Sequence, residues 1–305
     1  MTESLLIFPL VGLIGVATAV FRAPAGERRL IAAAMLCGLA MAAAASVVTG
    51  FAVLSARMGS VSAALGWFRF RAEECSFAAG CAGFVLGVRF AGGRTMTERL
   101  TPLGCAMIAL LRLAELRQPP AGLGPVWEEG PVALFPLIAA DGYGDPCLAV
   151  CTLEAAAAAV CCAEAAVRVK RGQPALSRAV CRLAAWQIFF ENLLTAAPMI
   201  GFVRTEQVVC LLVLLCAAVP GRDRRQMPAA WGGFAALLAM GLAQGALQFA
   251  MDKPYLIAEA FARSDQGFDR IASAVPGTCH LLAAALSAAM GETALRAKKN
   301  GGATQ

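Results

Sequence analysis

Charged residues and histidine are scarce in this sequence. Asp, Glu, Lys and Arg make up 15% of its 305 residues, whereas soluble domains carry about a quarter. The single histidine is His280, and the twelve cysteines show neither the spacing of a zinc site nor that of a disulfide framework. We therefore expect no metal and no other cofactor, and we interpret most cysteines as small apolar residues that pack inside helices.

Alternating strands of the kind that build outer-membrane barrels are also lacking. Instead, 59% of the residues are hydrophobic, and they fall in blocks close to the 20 or so residues that a helix needs to cross a bilayer. Because a spanning helix satisfies its own backbone groups, the sequence predicts an all-α fold, a polytopic transmembrane helical bundle that forms a single domain over residues 1–305. About nine spans are predicted, at 4–21, 30–56, 75–91, 99–117, 147–167, 179–199, 205–220, 229–250 and 277–295.

The first span is expected to be retained, because Met1–Ser4 lacks the basic residues that begin a cleaved signal peptide.

Basic residues predict the orientation of the bundle. The net charge of +6 would suit nucleic acid in a soluble protein, but here the basic residues lie in short loops between spans, so no nucleic acid is expected. Loops on one side hold fewer of them: Arg57, Arg69, Arg71, Arg117, Arg204, Lys253, Arg263 and Arg270. The other side is richer: Arg22, Arg28, Arg29, Arg89, Arg94, Arg168, Lys170, Arg171, Arg178, Arg222, Arg224, Arg225, Arg296, Lys298 and Lys299. The richer side should face the cytoplasm, which places the N-terminus outside and the C-terminus inside.

Three outer segments differ from simple linkers. Residues 57–74 contain an aromatic and basic stretch, ALGWFRFR at 64–71, that suits the lipid headgroup layer. Residues 118–146 are rich in Gly and Pro, which predicts turns rather than a span. Residues 251–276 place apolar side chains at helical spacing with charged residues between them, which predicts an amphipathic surface helix.

Three ionisable residues lie within predicted spans, where charge is costly and often functional. At 1.5 Å per residue, Arg112, Glu154 and Glu191 lie roughly 8, 10 and 12 Å below the outer surface. One interpretation is a polar cleft that admits a lipid headgroup, with Arg112 on its phosphate. The alternative is an ion pair of Arg112 with Glu154 or Glu191 that only joins helices. Gln187 lies one turn from Glu191, and Glu115 one turn from Arg112.

Four short motifs follow one another over residues 70–220. They are ECSFAAG at 74–80, ERLTP at 98–102 leading to LLR at 110–112, QIFFE at 187–191 and QVV at 207–209. In order and spacing they resemble the segments MSFHGG, DxxAP with GRxGN, RFxxE and MGQxxS of the prolipoprotein diacylglyceryl transferase family. The chain is therefore identified as a divergent relative of that family in the cytoplasmic (plasma) membrane of a bacterium.

The resemblance implies a reaction and a site. The family moves a diacylglyceryl group from phosphatidylglycerol to a cysteine of an exported lipoprotein precursor, so a phospholipid and such precursors are the expected partners. It implies Arg112 on the glycerol phosphate, a carboxylate of Glu191 or Glu115 as base for the thiol, and substrate contacts from Glu154, Gln187, Arg204 and Gln207. Of the family's polar residues, Arg112, Glu191 and Gln207 align directly, and Arg204 is a candidate substitute for a lost arginine.

Several family residues are replaced. Ala78 stands for the histidine, Ala114 and Glu115 for the glycine and asparagine, and Gln187 for an arginine. Three hypotheses therefore remain open. The chain is a diverged lipid transferase at the outer leaflet, a non-catalytic lipid-binding or accessory relative, or, as a distant third, a small-molecule transporter. Against transport, the sequence has no internal repeat of the kind that marks many transporters.

Overall fold

The computed structural model describes residues 4–67, 76–117, 122–126, 136–195, 199–200, 203–219, 227–262 and 264–301. Most of these residues are helical, as predicted. The helices are α1 (Ser4–Arg22), α2 (Arg28–Met58), α3 (Val61–Trp67), α4 (Phe77–Ala114), α5 (Val150–Lys170), α6 (Leu176–Leu193), α7 (Thr205–Ala218), α8 (Met227–Asp252), α9 (Pro254–Phe261) and α10 (Asp265–Gly301). A 3-10 turn, Glu115–Arg117, follows α4.

Four helices contain stretches that are long and apolar enough to cross a membrane. These stretches are Arg28–Met58 in α2, Val150–Lys170 in α5, Trp231–Asp252 in α8 and Asp265–Lys298 in α10. Shorter apolar stretches occupy Pro9–Arg22 in α1 and Thr205–Ala218 in α7. Each of the six overlaps a predicted span, so the described helices are compatible with a membrane protein.

Five short strands also occur, which the sequence pattern does not predict. They are β1 (Leu123–Val126), β2 (Ile138–Ala140), β3 (Pro146–Ala149), β4 (Met199–Ile200) and β5 (Val203–Arg204). The first three form an antiparallel sheet in the order β1-β3-β2, and the last two form a hairpin. Strands of two to four residues are too short to show a period of two. The segment 118–146, predicted as turns, therefore contains β1 and β2, while residues 118–121 and 127–135 lie outside the described residues.

Two further boundaries differ from prediction. Helix α6 ends at Leu193 rather than at 199. Helix α10 begins at Asp265 rather than at 277, because its first turns are polar and hydropathy does not detect them.

The predicted surface segment 251–276 thus contains α9, with Phe261 exposed and Ala258 buried, and the start of α10. Residues 68–71 of the aromatic and basic stretch, and Arg263, lie outside the described residues.

Helix α4 is folded back on itself at Gly93. This glycine has φ +70° and ψ −171°, which is not helical, and it separates two arms, 77–92 and 94–114. The side chain of Phe77 lies 3.9 Å from the Arg112 guanidinium, and the ring of Phe84 lies beside Gly104. In a straight helix, residues 77 and 112 would be about 50 Å apart. The arms are therefore antiparallel, and they overlap the predicted spans 75–91 and 99–117.

The chain divides into two compact units, Met1–Ala179 and Val180–Gln305. In the first unit, three basic loops lie at one end of the helices. Arg99, just after the Gly93 bend, forms an ion pair of 2.7 Å with Glu27 in the loop between α1 and α2. The neighbouring Glu98 accepts hydrogen bonds of 2.6 and 2.8 Å from the backbone N–H groups of Ala175 and Leu176 at the start of α6.

Close packing of small residues joins α2 to the first arm of α4. A methyl group at Gly83 would lie 2.5 Å from the backbone oxygen of Met41, and one at Gly87 would lie 2.6 Å from that of Cys37. Only glycine permits such an approach. Buried apolar residues of α1, α2 and α4 form the core around this contact: Val11, Ala19, Ala23, Ile31, Ala34, Met35, Val88, Met96, Leu100 and Met107.

In the second unit, α8 packs against α10 through a buried polar contact. Gln244 on α8 donates hydrogen bonds of 2.6 Å to the Ser287 hydroxyl and 2.9 Å to the Ala283 carbonyl oxygen. Interhelical hydrogen bonds of this kind join polar residues within helical membrane bundles.

Candidate functional site

Arg112 holds two carboxylates at the end of α4. Its Nη1 lies 2.9 Å from Oε1 of Glu115 in the 3-10 turn, and its Nε lies 2.9 Å from Oε2 of Glu154 on α5. Arg112 is 8% exposed and Glu154 is 4% exposed. We call these three residues, together with Phe77, the Arg112 cluster. With one cation and two carboxylates, the cluster carries a formal charge of −1.

The end of helix α4 favours this arrangement. Arg112 lies in the last turn of α4, where the helix dipole stabilises a cation. Gly122, directly before β1, lies beside Glu115 and Cys151. Gly122 has φ +73°, and a methyl group there would lie 2.8 Å from Cβ of Cys151 and 3.1 Å from Oε2 of Glu115. The chain that enters the β1-β3-β2 sheet therefore contacts the Arg112 cluster at Gly122.

The first family-like motif also contributes to this cluster. Ser76 caps α4 by accepting a hydrogen bond of 3.0 Å from the N–H of Ala79, which fixes the start of the arm that carries Phe77. The Phe77 ring lies against the Arg112 guanidinium as a cation–π contact. Residues 74–75 of the motif lie outside the described residues. The two motifs that the sequence separates by about 35 residues thus meet at Arg112.

This geometry gives Arg112 a structural role that the lipid-cleft interpretation does not require. The ion pair with Glu154, predicted as the alternative, is present. A phosphate that approached the guanidinium would have to compete with two carboxylates already within 3 Å. The cluster connects α4, the 3-10 turn and α5, and its charge does not favour an anion.

A second polar cluster surrounds Gln207 in the other unit. Its Nε2 donates hydrogen bonds to Oδ1 of Asn192 and, at 3.3 Å, to the carbonyl oxygen of Ile188. Its Oε1 accepts a hydrogen bond of 3.2 Å from the backbone N–H of Arg204. One glutamine therefore joins α6, β5 and the first turn of α7. We call Gln187, Glu191, Asn192, Arg204 and Gln207 the Arg204 cluster.

Glu191 is the buried carboxylate of this cluster. It is 3% exposed, and its Oε1 accepts a hydrogen bond of 3.0 Å from Nε2 of Gln187 one turn earlier on α6. The i, i+4 spacing predicts this contact. A carboxylate can accept a proton or hydrogen bonds.

Arg204 is a buried cation with unused donors. It is 7% exposed, and its Nε and Nη1 have no hydrogen-bond partner among the described residues. Burial lowers the pKa of this guanidinium, while the carboxylates of Glu191 and Asp252 act in the opposite direction. Arginine remains protonated even so. Buried donors without acceptors are costly, so this part of the chain is suited to an acceptor supplied by a ligand.

Two neighbouring amides also have unused atoms. Nδ2 of Asn192 and Oε1 of Gln248 have no hydrogen-bond partner among the described residues. Gln248 is fully buried and donates a hydrogen bond of 2.8 Å to Asp252, whose charge acts on Arg204. The Arg204 cluster therefore offers a ligand donors from Arg204 and Asn192.

The predicted site residues lie in these two clusters. Arg112, Glu115 and Glu154 lie together in the first unit, and Gln187, Glu191, Arg204 and Gln207 lie together in the second. Asn192, Gln248 and Asp252 were not predicted as site residues. Asn192 has a local signal, since it is adjacent to Glu191. Asp252 has none, because it is 48 residues from Arg204 in the sequence.

The cysteines are free where the structure describes them, and most are buried. In β3, the pKa of the Cys147 thiol is raised by burial and by the nearby carboxylates of Asp141 and Asp145, so this thiol resists ionisation. Across the described ranges, no three His, Cys, Asp or Glu side chains are grouped as a metal site requires.

Comparison with protein-family models, with curated proteins and with solved structures finds no match to this chain. The resemblance to diacylglyceryl transferases therefore stays a prediction from the sequence motifs.

Proposed function

We propose that this chain is a multi-pass membrane protein that binds a phospholipid from the outer leaflet through the Arg204 cluster, as a diverged relative of the diacylglyceryl transferases. The observation that carries the proposal is the buried Arg204 guanidinium, whose Nε and Nη1 have no acceptor among the described residues. A lipid phosphate offers acceptor oxygens and the negative charge that such a guanidinium binds best.

The mixed chemistry of the cluster supports a headgroup that has hydroxyls as well as a phosphate. Carboxylates at Glu191 and Asp252 act on Arg204, so a bare anion would be partly repelled. Phosphatidylglycerol supplies a phosphate for Arg204 and Asn192, and hydroxyls that can donate to the carboxylate of Glu191. This complementarity favours phosphatidylglycerol over a simple phosphate ion.

The proposed membrane arrangement has nine spans, with the N-terminus outside and the C-terminus in the cytoplasm of a bacterium. In the first unit it is supported by the meeting of three basic loops at one end, joined through Glu27–Arg99 and through Glu98. Such a positive end is typical of the cytoplasmic side. Reporter fusions test the arrangement. A fluorescent protein that folds only in the cytoplasm is expected to report after residue 171 and not after residue 57, and the reverse pattern would overturn the orientation.

Lipid retention tests the binding proposal. The chain is purified in a mild detergent, and bound phospholipid is measured by native mass spectrometry. We expect Arg204→Gln to retain about tenfold less acidic phospholipid, because hydrogen bonds to a charged group are lost. Arg204→Lys should fall between, since it keeps the charge without the planar fork. The control is Arg270→Gln, which removes an exposed arginine of α10. Equal retention in all these proteins would contradict the proposal.

The second candidate is the transferase itself, favoured by the buried Glu191 beside the proposed headgroup site. In that reaction a lipoprotein thiol gives its proton to a carboxylate, and its sulfur bonds to the lipid carbon as the carbon–oxygen bond to phosphate breaks. Glycerol phosphate then leaves. The reaction is tested by complementation of a bacterium depleted of its own transferase. Catalysis is supported if the wild-type chain restores growth and the Glu191→Gln variant does not. Failure of a well-inserted, lipid-retaining wild type favours a binding or accessory role.

A further inference from the structure

A groove runs along the exposed face of α5 towards its C-terminal end. It has a volume of about 480 Å³, and it is lined by Val160, Ala163, Glu164, Val167, Arg168, Arg171 and Gln173. Six of these residues recur at helical spacing, so they form one stripe on α5. The stripe changes from apolar to basic over about 12 Å, the rise of eight residues from 160 to 168.

We propose that this groove binds one acidic phospholipid, with the phosphate on Arg168 and Arg171 and an acyl chain along Val160, Ala163 and Val167. This lipid would be a bound structural lipid rather than a substrate. The site lies wholly in the first unit of the chain, whereas the Arg204 cluster lies in the second, so neither proposal depends on the other.

Charge supports an anionic occupant. The carboxylate of Glu164 is paired with Arg178 at the start of α6, so it is neutralised and leaves the two arginines in excess. Arg168 is held in place by a hydrogen bond of 2.9 Å from its Nε to the carbonyl oxygen of Pro174, which leaves its terminal nitrogens for another acceptor. Arg171 is exposed.

Several backbone groups beside the groove already have hydrogen-bond partners, which favours the guanidinium groups as the partners of an anion. The carbonyl oxygens at the end of α5 accept bonds from the backbone N–H groups of residues 171–173, and Gly172, with φ +67°, makes that turn. The N–H groups that open α6 already bind the carboxylate of Glu98. An anion at this end therefore meets arginine side chains and not a free helix terminus.

The apolar wall favours a lipid over a soluble anion. Val160 is 65% exposed and Val167 is 46% exposed, and both lie directly below the arginines along the same stripe. An inorganic phosphate would use the basic end alone. A phospholipid uses both the basic end and the apolar wall, because its phosphate and its acyl chain follow each other in the same order as these two parts of the stripe.

Photo-crosslinking of a labelled lipid tests the site. The full chain is placed in nanodiscs of phosphatidylcholine, with a phosphatidylglycerol that bears a diazirine on its acyl chain. Labelled peptides are then mapped by mass spectrometry. We expect labelling of residues 160–167 that exceeds, about tenfold, the labelling by a phosphatidylcholine with the same acyl chain, given the strength of arginine contacts to acidic lipid. Equal labelling by both lipids would overturn the proposal.

Variants separate this site from general attraction to a basic surface. Arg168→Gln with Arg171→Gln should abolish the preference for phosphatidylglycerol, whereas Lys170→Gln, which removes an exposed charge outside the groove, should leave it intact. Ala163→Trp should reduce the labelling by filling the groove without changing its charge. An equal loss in Lys170→Gln, or competition by millimolar glycerol phosphate as strong as that by unlabelled phosphatidylglycerol, would contradict a lipid site.

Discussion

Arg112 and Glu154 form an ion pair of 2.9 Å that joins the end of α4 to the first turns of α5. Both residues are at least nine-tenths buried. The guanidinium also binds Glu115, so its charge is compensated twice. Removing the cation would leave two carboxylates facing each other, whereas removing Glu154 would leave a balanced pair.

The first prediction follows from that asymmetry. Arg112→Gln should destabilise the protein by about 3 kcal/mol, the cost of a buried charge that loses its partner. Glu154→Gln should cost less, and the double variant should be more stable than the sum of the two changes predicts. Thermal unfolding in detergent, followed by circular dichroism, measures all three proteins. Additive effects would show that the two residues are not coupled.

The second prediction concerns Gln207, which joins three elements of the second unit. Gln207→Ala removes its hydrogen bonds to Asn192, to Ile188 and to the backbone of Arg204. Because buried partners are left unsatisfied, we expect a loss of about 1–3 kcal/mol and weaker phospholipid retention. Gln187→Ala, which removes the side-chain hydrogen bond to Glu191, provides the comparison. A loss of stability no larger than that of Gln187→Ala would contradict a central role for Gln207.

The third prediction concerns Gly122, beside the Arg112 cluster. Gly122→Ala forces a side chain into the left-handed region, at about 1–2 kcal/mol, and brings its Cβ within 2.8 Å of Cβ of Cys151. Gly142→Ala is the matched control, because nothing lies within 4 Å of a methyl group there. Protease sensitivity of the segment 122–149 should rise in Gly122→Ala alone. Equal sensitivity in both variants would show that the close approach of Gly122 does not hold the sheet in place.

Long apolar helices could be predicted because hydropathy accumulates over some 20 residues. Each residue of α2 or α8 adds to the same signal, so errors at single positions cancel. The strands β1 to β5 give no such signal, since each has four residues or fewer. Hydropathy also does not detect the first turns of α10, because these turns are polar. Hydropathy thus predicts where apolar helices run, but not where their polar extensions end.

The candidate sites were predictable to the extent that local spacing determines them. The pairs Arg112–Glu115 and Gln187–Glu191 follow from three- and four-residue spacing on a helix. Glu154 is a candidate because it is a charged residue within a predicted span. Which carboxylate pairs with Arg112 depends on how α4 packs against α5, and no local sequence pattern predicts that packing. The influence of Asp252 on Arg204 likewise depends on the tertiary fold.

The fold-back at Gly93 has a consequence for the bilayer itself. The first arm, 77–92, is about 24 Å long, shorter than the hydrocarbon core of about 30 Å, and Arg89 is exposed near its end. Because Gly93 joins this arm directly to the next, the arm cannot lengthen at the bend. In the proposed membrane arrangement, an arm shorter than the hydrocarbon core favours a locally thinner bilayer around it, at a modest cost per ångström of mismatch. Lipids beside this arm would therefore be held in a compressed layer, where headgroups lie closer to the protein interior than elsewhere.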